Sequence, residues 1–176
     1  MSTESYDRTT IRLHWATAFL VCWQWGEAHL IDLVSTGGTP GRRAMVGLHV
    51  LGGLTLVAVL LARLAWRHRG GIRLSYAAGW EGVAARVGHV ALYGLLAAVL
   101  GFGLWLEWVR GDNLFGLVQV PAFDPGNRAL RQAAAGRHEL LANALLILAG
   151  LHALVALAHH YIKRDGVLRR MLPGLK

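Results

Sequence analysis

The stretch RHELLANALLILAGLHALVALAHHYIKRDGVLRRMLP, residues 137–173, decides the fold. Apart from Arg137, Glu139, Asn143 and its histidines it is apolar as far as His160, and then it turns abruptly basic. At about 1.5 Å per helical residue, the run 138–162 is long enough to cross a hydrocarbon core of ~30 Å. Working outward, three more runs reach the same length, at about 11–33, 44–66 and 84–108. The 176 residues are 55% hydrophobic and only 16% charged, with a mean hydropathy of +0.41. That profile does not fit an ordinary soluble globule. The expectation is an all-α integral membrane four-helix bundle, one transmembrane domain over 1–176, with lipid as its first partner.

The net charge of +8 would admit nucleic acid as a partner, but its distribution argues for a membrane instead. Twelve of the eighteen basic residues fall on one side of a four-helix topology: Arg8, Arg12, Arg63, Arg67, Arg69, Arg73, Arg86, Lys163, Arg164, Arg169, Arg170 and Lys176. The positive-inside bias then places both termini in the cytoplasm. Arg42, Arg43, Arg110, Arg128, Arg131 and Arg137 lie on the outer side, a larger outward share than topology needs. The first apolar run has no small-residue cleavage site after it and is expected to be a retained helix. Cys22 stands alone, so there is no internal disulfide and no C-x-x-C-H site for covalent haem attachment.

Three connections join the runs. STGGTPGRR, 35–43, reads as a turn on the outer face, and RHRGGIRLSYAAGWEG, 67–82, as a longer basic inner connection. The outer segment 111–127 is interrupted by Pro121 and Pro125. Asp124 before Pro125 predicts a helix start, with helix four entering the membrane near Gly136. Trp15, Trp66, Trp105 and Trp108 stand near helix ends, where interfacial anchoring is expected.

An ionisable group inside a membrane helix is costly and points to function. His14, His49, His89, His138, His152 and His159 fall within the spanning runs or at their ends. His138 and His152 are 14 residues apart, close to four turns, so their rings share one face about 21 Å apart along the axis. His14 lies roughly 8 residues short of the middle of helix one, and His49 roughly 6 short of the middle of helix two. These helices run in opposite directions, so the two offsets add to the same ~21 Å of depth. His14 can therefore face His152, and His49 can face His138. Two imidazole pairs at two depths suit the axial ligation of two haems, and iron with two histidine ligands passes electrons rather than binding oxygen. Gly47, Gly52, Gly53, Gly94, Gly136 and Gly150 would let a flat macrocycle approach the backbone, although glycine also serves plain helix packing. A zinc or proton transporter is the reading from another class. It would normally add carboxylates at mid-depth, and Glu27, Asp32, Glu107 and Glu139 all stand toward the outer ends.

Four pieces carry a family resemblance: YDRTTIRLHWATA at 6–18, GLHVLGGLTLVAVLLARLAWR at 47–67, GHVALYGLL at 88–96 and the opening stretch at 137–173. Together they resemble the bacterial cytochrome b561 family in its single-subunit, four-helix form. The resemblance implies an inner-membrane protein with two non-covalent b haems, their iron held by His14, His49, His138 and His152. The stand-alone kind that it resembles oxidises superoxide and reduces ubiquinone. Related cytochromes are membrane subunits of hydrogenases and other dehydrogenases, which gives the alternative of an electron-transfer subunit with a redox protein partner.

The charges make chemical sense of such an activity. An outer haem would sit beneath Arg42, Arg43, Arg128, Arg131 and Arg137, and a basic funnel concentrates a small anion such as superoxide. Individually the same arginines could bind lipid phosphates. At the inner end a quinone needs hydrogen-bond donors and protons. His89 opens helix three there, and His159 follows His152 by seven residues, within ~20° of the same face and about 10 Å further on. Histidine, with an unperturbed pKa near ~6.5, can deliver protons at neutral pH. Arg86 and Lys163 are the further candidate quinone contacts, whereas His160 turns away and reads as part of an interfacial collar.

Overall fold

A computed structural model describes residues 5–34, 39–115 and 117–174, the side chains of Asp32 and Val34 excepted. The expected turn at 35–43 falls partly, and Lys176 wholly, outside these residues. Four helices follow one another: α1 (Arg8–Val34), α2 (Pro40–Arg69), α3 (Trp80–Arg110) and α4 (Arg128–Ala158). Two short strands, β1 (Asn113–Leu114) and β2 (Val118–Gln119), form an antiparallel hairpin between α3 and α4. A π-helical turn, His159–Lys163, and a 3-10 turn, Leu168–Arg170, close the chain. The bundle thus has a terminal end, carrying the first and last described residues and the α2–α3 connection, and a hairpin end.

Local chemistry sets the helix boundaries. Asp7 starts α1 by accepting from the Thr10 backbone N–H at 2.9 Å and the Thr10 hydroxyl at 2.7 Å. Pro40 opens α2 behind a Thr39 cap that accepts from the Arg42 N–H. Gly111 ends α3 at φ 62°, the left-handed conformation that glycine adopts without strain. Helix four does not start at Asp124 and Pro125 as the sequence predicts. Asn127 is its cap, accepting from the Leu130 N–H at 2.9 Å, while the Asp124 carbonyl accepts from the Asn127 N–H in the turn before it. An Asx cap three residues on outcompetes the proline start, and ten helical residues, 128–137, precede His138.

Among the described residues three helices are both long and apolar enough to cross a membrane: α2, α3, and α4 continued to Lys163. α1 falls below that apolarity. Its 27 residues are sufficient in length, but His14, Gln24, Glu27 and His29 dilute its apolar character. The molecule is a helical membrane bundle with its apolar surface turned outward. Ile147 is 66% exposed and Phe19, Leu140 and Leu154 are similarly bare, as side chains facing lipid should be.

α1 packs along α2 and α3 along α4, while the backbones of the two hairpin pairs approach one another at few points. Within the first pair Gln24 of α1 donates to the His49 carbonyl of α2 at 2.7 Å, and between the pairs the Trp25 indole of α1 donates to Asn143 Oδ1 of α4 at 2.7 Å. Midway along the bundle, Leu56, Leu60, Leu96 and Leu145 form a buried layer, with Leu20, Val21, Leu92 and Val99 packed around it. Leu145 stands halfway between His138 and His152, so this layer separates two groups of histidines.

Trp15 and Trp66, expected as interfacial anchors, bond their indole N–H groups to the chain. Trp15 donates to the Met171 carbonyl at 3.1 Å and Trp66 to Asp7 Oδ1 at 2.9 Å. Trp105 and Trp108 cluster with Phe123 at the hairpin end.

Candidate functional site

Each side of the leucine layer holds one pair of imidazoles. On the terminal side the rings of His14 and His152 have centroids 6.4 Å apart with planes at 66°. On the hairpin side His49 and His138 stand 6.2 Å apart with planes at 90°. These are the partners that the depth arithmetic gives. The backbones of α2 and α4 hardly approach, so His49 and His138 meet across a gap between helices.

The donor set fits a metal-centred cofactor. A metal–imidazole bond of ~2.0 Å, plus about 1 Å from nitrogen to ring centre, puts two rings on opposite sides of one metal about 6 Å apart between centroids. Both pairs have that spacing. His138 Nδ1 lies 3.1 Å from the Val99 carbonyl, which can only accept, so Nδ1 carries the hydrogen and Nε2 keeps its lone pair for a metal. Gly103 faces this ring, and a Cβ there would come within 3.0 Å of His138 Cε1. His49 Nδ1 is buried without a hydrogen-bond partner among the described residues.

The expected glycine cradle is only partly present. Gly47 and Gly52 are filled: a Cβ on Gly47 would meet the Phe115 ring at 2.7 Å, and one on Gly52 would meet Gln24 Oε1 at 2.2 Å. Both serve helix and loop packing beside His49. Gly53 lies against the Gln24 amide, while Gly94, Gly136 and Gly150 border open space.

A prokaryotic cytochrome b561 family model matches residues 5–174. The chain belongs to the prokaryotic cytochrome b561 family. It is therefore a membrane electron-transfer protein of a family that binds b haem. This cytochrome is similar to three proteins along nearly their full lengths. Cytochrome b561 homolog 2 of Escherichia coli K12 is 35% identical, covering 96% of this chain and 92% of the relative. Cytochrome b562 of Cereibacter sphaeroides is 34% identical over 95% and 94%. A probable superoxide oxidase CybB of Yersinia pestis is 29% identical over 97% of each.

At the hairpin end of this cytochrome the basic residues divide between two cavities. One, of about 320 Å³, is lined by Arg110, Asp112, Arg128, Arg131, Gln132 and Ala135. The other, of about 100 Å³, is lined by Arg42, Arg43, Val46, Arg110, Asp112 and Asn113. Arg137 lines neither. Arg110 and Asp112, paired at 3.0 Å, line both cavities, and the sequence reading had not singled either out for this role. Arg110 is the last residue of α3, and its ordinary appearance there, as a basic residue at a helix C-terminus, hid its place between the two groups of arginines.

At the terminal end the four candidate quinone contacts separate into two groups. His89 does not open helix three but lies nine residues inside it, with its ring 5.3 Å from that of His152. The Tyr76 hydroxyl lies 3.4 Å from His89 Nδ1, and Arg86 stacks on the Tyr76 ring at 5.5 Å. Tyr76, on the α2–α3 connection, was not anticipated. Lys163 is ion-paired to Glu81 in the first turn of α3. His159 stands where α4 loosens into the π-helical turn: its N–H still bonds to the Val155 carbonyl, so the 3.6-residue arithmetic from His152 holds as far as His159 and fails beyond it. Its Nδ1 is 2.5 Å from Asp165 Oδ2. His160 has its ring against Tyr161.

Proposed function

We propose that this chain is a di-haem b cytochrome of the bacterial inner membrane, with both termini cytoplasmic, that carries electrons from superoxide at the hairpin end to ubiquinone at the terminal end. It is then a superoxide:quinone oxidoreductase. The reading rests on two histidine pairs of matching spacing on opposite sides of one apolar layer. His49 and His138 would hold the outer haem iron and His14 and His152 the inner. A haem bound at each pair would supply a one-electron couple. The name of the Yersinia pestis relative supports superoxide as the donor.

The residues of the chain do the rest. Arg42, Arg43, Arg128 and Arg131, with Arg137 nearby and Arg110 between the two cavities, raise the local concentration of a small anion. The leucine layer excludes water between the two ends. At the cytoplasmic end His89 and His159 hold protons for the two carbonyl oxygens of the quinone, and Arg86 and Lys163 bracket the same region. Two electrons and two protons convert the quinone to quinol.

Pyridine-haemochrome analysis of purified protein tests the cofactor, with two b haems per chain expected; colourless protein that binds zinc would sink the assignment. Stopped-flow mixing with superoxide, followed by a short-chain ubiquinone, tests the reaction. Should superoxide leave the haems oxidised while a partner dehydrogenase reduces them, the electron-transfer subunit reading replaces this one.

A further inference from the structure

The exit of α4 is irregular. After Ala158 the helix widens into a π-helical turn, a distortion that recurs at functional positions, and Arg164 then reverses the chain at φ 53°. This reversal brings Asp165 back onto His159. Asp165 Oδ2 is 2.5 Å from His159 Nδ1, Asp165 Oδ1 accepts from the Val167 N–H at 3.1 Å, and the Asp165 N–H donates to the His159 carbonyl at 3.3 Å. A carboxylate can only accept, so His159 Nδ1 carries the hydrogen and Nε2 points away from Asp165.

We infer that Asp165 is a positioning residue for proton delivery: it fixes the tautomer and orientation of His159 so that Nε2 picks up a proton from cytoplasmic water and presents it to a quinone carbonyl. This rests on the reading of the terminal end as the quinone site. The balance is simple. The quinone gains two electrons by way of the haems and two protons. His159 supplies one of those protons from Nε2, and that nitrogen is then reprotonated from water. The His159 side chain is 19% exposed, which gives it this contact with solvent while leaving most of the ring against the protein. The charged groups around the pair are Asp165 itself, Lys163 on the π-helical turn and, bonded to Lys163, Glu81 of α3. Hydrogen bonds from His159 and the Val167 N–H hold the Asp165 carboxyl below its ordinary value against the opposing effect of burial, so it stays an acceptor at neutral pH.

Asp165→Asn separates this role from a structural one. The amide keeps an oxygen for the Val167 N–H but turns an N–H toward His159 Nδ1, which drives the ring hydrogen to Nε2. Chemically reduced holoprotein is mixed with a short-chain ubiquinone, and haem reoxidation is followed against pH, so that no step depends on superoxide. Asp165→Asn should retain both haems and slow reoxidation roughly tenfold or more, the usual loss when an outer partner of a functional histidine is removed. His159→Gln should be slowed at least as much, and the double variant no further. Nitrogen-15 NMR of His159 should show the hydrogen on Nδ1 in the wild type and on Nε2 in Asp165→Asn. Asp165→Asn at the wild-type rate beside a slow His159→Gln overturns the positioning role and leaves the quinone site standing. Both variants at the wild-type rate overturn the positioning role and remove His159 from the quinone site. A slow Asp165→Asn beside a normal His159→Gln shows that Asp165 acts through another group, and also overturns it.

Discussion

Replacing Asp7 with alanine should destabilise the terminal end and, through it, the site. The carboxylate caps α1 through two bonds to Thr10, and it also accepts from the Trp66 indole of α2 at 2.9 Å and the Ile72 N–H of the α2–α3 connection at 3.1 Å. Loss of the cap costs ~1 kcal/mol. The half-buried Trp66 N–H left without a partner costs ~1–2 kcal/mol more, whereas the exposed Ile72 N–H can turn to water. A total of ~2–3 kcal/mol corresponds to roughly 4–12 °C in Tm for a chain of this size. Because His14 lies only two turns beyond Asp7, the haem held by His14 and His152 should be released first on heating. The same residue gives a pH signature. Burial pushes the Asp7 carboxyl up, but the bonds from Thr10, Ile72 and Trp66 outweigh it and hold it well below its ordinary value. A carboxyl depressed in the folded state adds stability that is present above its unfolded pKa of ~3.9 and is lost as pH falls through the folded value. Wild-type protein in detergent should therefore lose stability as pH falls below ~4, and Asp7→Asn should lack that slope. Thermal melts followed by circular dichroism and haem absorbance read both effects. A Tm within roughly 1 °C of wild type for Asp7→Ala, or an unchanged acid slope in Asp7→Asn, would refute the reasoning.

Other outcomes test the site itself. His49→Ala should leave one haem of the two, and His152→Ala should remove the other, as read from low-temperature absorbance; loss of both haems from either variant would show that the pairs are not independent. Gly103→Val would crowd His138, since even a Cβ would lie 3.0 Å from its Cε1. The variant should lose haem at the hairpin end while keeping the terminal one, and an unaltered spectrum would mean that the ring has room to move. Arg128→Gln with Arg131→Gln should slow haem reduction by superoxide and flatten its dependence on ionic strength, since steering by charge falls with salt. A rate that remains equally salt-sensitive would place the anion's approach elsewhere.

The helices and the pairing of the histidines were legible because both follow from periodicity. The depth of His14, His49, His138 and His152 is fixed by 1.5 Å steps along regular helices, and the ring contacts respect it. What the sequence concealed lies where that regularity fails. The π-helical turn takes the residues after His159 off the α-helical register, and nothing in HHYIKRDG announces the extra residue in the turn. Asn127 displaces Asp124 and Pro125 because two capping signals stood close together and only the folded chain chooses between them. The strands β1 and β2 have two residues each, too few to show alternation. Arg110 and Tyr76 were hidden for a different reason: one looked like an ordinary helix-end charge and the other like a loop residue, and only tertiary contact gives them neighbours.

The layer of Leu56, Leu60, Leu96 and Leu145 bears on the energetics of the membrane itself. Electrons can pass between cofactors across a few aliphatic side chains, but protons need a chain of hydrogen-bonding groups, so an electron crossing this layer travels uncompensated. Each elementary charge moved through the full membrane voltage is worth ~2.3 kcal/mol per 100 mV. In the proposed reaction the electron would arrive on the side from which the quinone draws its protons, so every turnover would make that side more negative. A growing voltage in turn opposes the next electron, so the bundle would act as a small generator that slows under its own output.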